Sequence, residues 1–297
     1  MTFEPIWNSI IAWYLFLAGL GGGAYAAAAF MRRFHPEATF LRRAAHLIAP
    51  ITVIVGLLLL MVDAKAGLHN PLRFALLLTN FGSVMTWGVV FLSGFTVVAL
   101  VTAVLDYLKK AVPWALEIAG AVLGVCVAVY TGCLLGVCNG FPLWNNALLP
   151  ILFLVSALST GIASIMVAGL IRRPDQFHEV TLIKRVHFGL GIVEIVLVAA
   201  LLFVTSFNSV AGLTSVMHLL AGPWAVAFWL GFVAIGLVLP LVVELWLLFV
   251  AKPEVEHSST GRWCALASEI GVLVGGYLLR LLVIVAAVPV TMMVPYL

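Results

Sequence analysis

The chain has 297 residues, 64% of them hydrophobic and only 9% charged, with a net charge of +3 and a mean hydropathy of +1.20. That composition excludes a soluble globular domain and fits a polypeptide threaded repeatedly through a bilayer. The few basic residues cluster at the ends of apolar runs, where they act as topology signals rather than as a nucleic-acid surface.

Crossing ~30 Å of hydrocarbon takes roughly 20 apolar residues. Eight runs qualify, at about 8–31, 45–63, 81–107, 113–138, 147–171, 186–206, 222–251 and 263–292. Little sequence is left over, so the expected fold class is an all-α polytopic membrane protein, a single integral membrane domain over residues 1–297. The first run is preceded by Glu4 and by no Lys or Arg, unlike the basic start of a cleavable signal peptide. Arg32, Arg33, Arg42, Arg43, Lys109, Lys110, Arg172, Arg173, Lys184, Arg185, Lys252 and Arg262 all fall in odd-numbered connections. Only Lys65 and Arg73 fall in the others, and Arg280 lies inside the last run. The positive-inside rule then predicts both termini on the periplasmic side.

The first run carries Y-L-F-L-A-G-L-G-G-G-A-Y, Tyr14 to Tyr25. Gly19 and Gly23 make a G-x-x-x-G face, suited either to close helix approach or to a flat ring. With no strand before it, it is not a phosphate loop. Asp63 ends the second run, and the outer connection L-H-N-P-L-R-F, Leu68 to Phe74, holds His69, Pro71 and Arg73. An Arg on the cation-poor side suits a carboxylate, another subunit or a quinone headgroup, and also suits plain solvation.

Tyr130 to Asn146 reads Y-T-G-C-L-L-G-V-C-N-G-F-P-L-W-N-N and leads into F-L-V-S-A-L-S-T-G, Phe153 to Gly161. Tyr130 lies about eight residues, or ~12 Å, below the outer end of its run. Its phenol there donates either to a quinone carbonyl or to a neighbouring helix's backbone. Glu194 is expected near mid-depth, and Arg280 stands about nine residues before Pro289. Pairing the two and keeping the Glu neutral are both ways to relieve the cost of an ion in lipid. Glu117, Glu244 and Glu269 lie nearer the inner surface and form either a proton-uptake ladder with Glu194 or a set of separate snorkelling side chains.

Cys126, Cys133, Cys138 and Cys264 include no C-x-x-C pair, which argues against an iron–sulfur cluster or zinc and for small buried residues. Cys138, near the outer end, is the candidate for redox activity. His35, His69, His178, His218 and His257 fall in connections, and His46 and His187 at inner ends. No two stand at mid-depth to ligate one iron, so haem b and metal are not expected. Electrons, if they pass, use an organic carrier and a cofactor in another subunit.

Over essentially its full length the sequence resembles the NrfD/polysulfide reductase C family. The likeness rests on Y-L-F-L-A-G; R-R-F-H-P (Arg32 to Pro36); N-F-G-S-V-M-T-W-G (Asn80 to Gly88); P-L-W-N-N; F-L-V-S-A-L-S-T-G; V-E-I at Glu194; F-W-L-G from Phe228; and L-L-R at Arg280. The resemblance implies an eight-helix subunit of the bacterial inner membrane, with no haem, metal or iron–sulfur cluster, that binds menaquinone or ubiquinone near its outer face. It also implies a four-cluster ferredoxin-like iron–sulfur partner leading to a molybdopterin or multihaem cytochrome catalytic subunit. In such relatives a tyrosine at the motif position of Tyr130 contacts the quinone. Tyr14 stands where polysulfide reductase-like members have a first-helix His. Asp63 matches the family's D-L-x-x-P aspartate, at a longer spacing to Pro71. The expected quinone contacts are therefore Tyr130, Tyr14, Asp63, His69 and Arg73, with Glu194 and Arg280 supplying the internal proton step. A proton-coupled secondary transporter or proton channel is the alternative. Buried Glu and Arg suit it, but paired Gly/Pro-interrupted helices in corresponding halves are lacking.

Overall fold

A computed structural model describes residues 7–63, 78, 80–174, 180–250 and 258–293. Among these residues eight helices are long and apolar enough to cross a membrane, and no strand occurs. The elements are α1 Ser9–Phe34, α2 Thr39–Asp63, α3 Val84–Tyr107, α4 Trp114–Gly136 and α5 Leu148–Arg172. They continue with α6 Thr181–Asn208, a short α7 Val210–Leu220, α8 Ala227–Val250 and α9 Ser259–Val285.

The helix bounds differ from the sequence expectation for physical reasons. α2 and α6 begin at Thr39 and Thr181, ahead of the apolar runs. Their first turns carry Arg42, Arg43, Lys184 and Arg185, good helix formers whose long stems let the charge reach water. α9 stops at Val285, short of residue 292, because Pro289 disfavours helical backbone just before it. α7 has no counterpart among the expected runs. It is apolar but only 11 residues long, and the Ser209 hydroxyl caps it by accepting from Gly212 N at 3.0 Å. α8 is π-wound over Ala227–Val238 and Trp246–Val250, on either side of a short α-helical piece holding Pro240.

Helices α1 to α4 pack as one four-helix bundle, and α5, α6, α8 and α9 as a second. α1 and α5 meet at the centre, flanked by α4 against α5 and α9 against α1. Each bundle thus takes four membrane-length helices in chain order. Glycines make the centre possible. A Cβ on Gly21 would strike Val53 and Thr52 of α2, one on Gly22 the backbone of Gly124 in α4, and one on Gly23 the backbone of Ala157 in α5. Each glycine of this run thus admits a different helix, so the G-x-x-x-G face is packing surface.

The face where α1 begins and α9 ends is called here the terminal face, and the opposite one the basic face. On the terminal face Trp144 of the P-L-W-N-N turn donates to Val283 O at 2.7 Å and stacks on Phe141 with centroids 4.1 Å apart. Trp7 stacks on its other side at 5.1 Å. Val288 N donates to Ser215 Oγ at 2.9 Å, which ties α7 to the segment beyond α9.

Candidate functional site

In the terminal half, Tyr130 sits six residues before the α4 end at Gly136, about 9 Å along the helix. It is 7% exposed, and its ring lies flush against Gly88 of α3, where a Cβ would overlap Cζ and the hydroxyl. Tyr14 of α1 faces it. The Tyr14 hydroxyl, in a residue only 1% exposed, is within interaction range of Tyr130 but closes no well-formed hydrogen bond among the described residues. Six residues nearer the membrane surface, Asn8 donates to Asp63 Oδ1 at 2.9 Å and caps α1 by accepting from Ile10 N at 2.8 Å. Asp63 therefore sits at the rim above Tyr14. His69 and Arg73 lie outside the described residues.

A polar path runs from mid-membrane to the basic face through the second bundle. Arg280, fully buried, donates to Ser156 Oγ at 3.1 Å, Gly276 O at 2.6 Å and Phe153 O at 3.5 Å. Its guanidinium also lies 5.1 Å from the Phe153 ring centroid, a cation–π contact. Glu194 approaches the same Ser156 hydroxyl. Arg280 and Glu194 thus converge on one serine rather than forming a direct ion pair. One turn along α5, Ser159 Oγ lies 3.1 Å from His187 Nε2. His187 Nδ1 in turn lies 2.9 Å from Glu244 Oε1 and 3.6 Å from Glu269 Oε2. Small cavities line this path, one holding Ser159, His187, Glu194 and Glu244, the next Lys184, His187, Glu244 and Glu269.

Glu117 does not join that path, contrary to the ladder expected from the sequence, because α4 belongs to the first bundle. It pairs there with Arg32, and its Oε1 lies 3.5 Å from His46 Nε2. His46 Nδ1 is 2.5 Å from Asp106 Oδ2, and Tyr25 bonds Thr102 at 2.7 Å beside this cluster. Each bundle therefore sets a histidine from its second helix against carboxylates from its third and fourth. Cys138, just beyond α4, is half-buried, and burial pushes its thiol above the ordinary range. The reactive thiolate is thereby disfavoured, which argues for packing rather than redox chemistry.

Comparison with known families settles the lineage. The family model described as polysulphide reductase, NrfD, matches residues 1–291. The protein belongs to the NrfD family. The C subunit of polysulfide reductase from Wolinella succinogenes is 33% identical over 283 residues, spanning 86% of each of the two sequences. Protein NrfD of Escherichia coli is 30% identical over 314 residues, covering 95% of this sequence and 94% of that one. A protein NrfD homolog of Haemophilus influenzae is 26% identical over 273 residues, 81% of this sequence and 83% of that one.

Eight membrane-length apolar helices in an NrfD-family member make this a multi-pass protein of the bacterial inner membrane. Of its sequence-expected site residues, the fold brings Tyr14 to Tyr130 and Glu194 to Arg280 through Ser156, and keeps Asp63 at the rim. Sequence reasoning missed the grouping of His187 with Glu244 and Glu269, and of His46 with Asp106. A signal existed in the matching R-R-A-A-H at Arg42 and K-R-V-H at Lys184, two basic residues followed closely by His at the start of the second helix in each half. Considering the histidines only as haem ligands hides that match.

Proposed function

We propose that this NrfD-family protein is the membrane anchor and quinol/quinone-reactive subunit of a respiratory oxidoreductase complex. It exchanges electrons between the quinone pool and an iron–sulfur subunit docked on the terminal face, which the positive-inside rule makes periplasmic. That partner, a four-cluster ferredoxin-like protein, leads to a molybdopterin or multihaem catalytic subunit. The name of the Wolinella relative, a component of polysulfide reductase, supports assembly of this kind.

The observation that carries the reading is the buried Tyr14 hydroxyl, which faces Tyr130 without closing a well-formed hydrogen bond among the described residues. A buried polar group left unpaired costs ~1–3 kcal/mol, and a quinone carbonyl is an acceptor of the right kind. The residues present therefore fit a menaquinone or ubiquinone headgroup, which when reduced supplies two electrons and two protons. Tyr130 and Tyr14 hold and orient it by their O–H groups, and Asp63 at the rim is an acceptor for a proton leaving toward the terminal face. Glu194, converging with Arg280 on Ser156, takes up and passes on a proton at its carboxylate. Ser159, His187, Glu244 and Glu269 extend the hydrogen-bonding path to the basic face.

Tyr14→Phe and Tyr130→Phe test this reading, read as bound quinone per purified complex and quinol-linked turnover. Tyr130→Phe is expected to lower turnover about two- to twelvefold with assembly intact, for one lost hydrogen bond. Wild-type quinone content and turnover in both variants would overturn it. The paired bundles favour one second reading, because transporters too are commonly built of two helical halves. A proton-coupled transporter or channel predicts proton flux through the isolated protein in vesicles without quinol or partner.

A further inference from the structure

At the basic end of the second bundle, three helices bring an imidazole and two carboxylates to one point. The ligand-capable atoms of His187, Glu244 and Glu269 all lie within 4.8 Å of one another. His187 Nδ1 stands 2.9 Å from Glu244 Oε1 and 3.6 Å from Glu269 Oε2. Around a tetrahedral zinc ion with bonds of ~2.1 Å, ligand atoms stand about 3.4 Å apart, a spacing that falls between the two. Little movement is needed to receive an ion.

Three further features point to a cation rather than to a salt bridge alone. Glu269 is 4% exposed, yet its Oε2, the atom aimed at His187, has no hydrogen-bond partner among the described residues. The other ring nitrogen of His187 is engaged by Ser159 Oγ at 3.1 Å. A proton placed there leaves the Nδ1 lone pair free, the outer-shell arrangement usual for a metal-bound histidine. A cavity lined by Lys184, Leu247, Ser268 and the three candidate ligands opens beside them, with space for a water at a fourth position. The matching cluster of the first bundle also holds an unpartnered carboxylate oxygen, Glu117 Oε1, but there Arg32 already neutralises the Glu117 charge.

We propose that His187 Nδ1, Glu244 and Glu269 form a site for a divalent transition ion of the zinc class, with water as fourth ligand. The two carboxylates balance the ion's charge, and the imidazole selects it over magnesium or calcium, which prefer oxygen ligands. This departs from the metal-free expectation of the sequence. Lys184 on the same wall opposes a dication, so binding is weaker than in a closed structural zinc site. A bound ion ties up the last three groups of the polar path. That consequence rests on the proton role proposed above, whereas the site itself does not.

The test uses the full-length protein purified in detergent and stripped with chelator, then titrated with Co²⁺ as a spectroscopic stand-in. One ion per protein molecule with visible tetrahedral d–d bands, displaced by Zn²⁺, is expected. Glu269→Gln should weaken binding at least tenfold, while Glu117→Gln, in the other bundle, should bind as the unmodified protein does. Absence of stoichiometric Co²⁺ binding by the unmodified protein would overturn the site even if the variants fail to assemble. So would unchanged affinity in a folded Glu269→Gln protein, or loss of binding in Glu117→Gln alone.

Discussion

The closeness of Tyr130 to Gly88 makes one methyl group a probe of the quinone site. A Cβ on Gly88 would overlap Cζ, the hydroxyl and Cε2 of Tyr130. These are distal atoms of one side chain rather than backbone, so the ring should turn while α3 and α4 keep their separation. For Gly88→Ala, overpacking costs ~1–3 kcal/mol, offset by ~0.8–1.0 kcal/mol of helix propensity, so most of the complex should still assemble. The displaced phenol, however, leaves its place beside Tyr14. A lost hydrogen bond worth ~0.5–1.5 kcal/mol slows turnover about two- to twelvefold if it is made in the rate-limiting state. The assay is quinol-linked turnover per assembled complex for Gly88→Ala, Tyr130→Phe and the double variant. Because both act through one hydroxyl, the double variant should be no slower than the slower single. Full turnover in a normally assembled Gly88→Ala complex, or simple additivity of the two effects, would refute the argument.

Glu194→Gln keeps the shape beside Ser156 but cannot exchange a proton, so activity per assembled complex should fall more than yield does. Low yield with full specific activity would instead make Glu194 only a counter-charge for Arg280. Arg280→Met removes the donor to Ser156, Gly276 O and Phe153 O, and each buried acceptor left unpaired costs ~1–3 kcal/mol. Membrane-inserted protein should drop sharply, as measured by immunoblot and gel filtration. Gly23→Val drives a branched side chain into the backbone of Ala157 and should separate α1 from α5. A variant that purifies with normal yield and melting temperature would contradict that crossing. Reporter fusions after residue 37 or 110 should report cytoplasm and one at 142 periplasm; the reverse at 142 would invert the proposed orientation and the docking face.

Hydropathy by itself determined the eight spans, because each residue's transfer into lipid is a local cost that sums along a segment. The same cost made Tyr130, Glu194 and Arg280 conspicuous as polar groups inside apolar runs. Local rules also go far toward the helix ends, since Pro289 shortens α9 and the basic first turns lengthen α2 and α6. Neighbours were another matter. Helix association in lipid is decided by backbone approach at small residues and by hydrogen bonds between segments far apart in sequence. Arg280 and Ser156, 124 residues apart, meet because Gly19 leaves room for the guanidinium between α1 and α5. Glu117 and Glu269 look alike in sequence, two acids in apolar helices, yet one is matched by Arg32 and the other faces His187. Only the packing of α4 into the first bundle and α9 into the second separates them, because which charges share a low-dielectric pocket depends on distances that no single segment encodes.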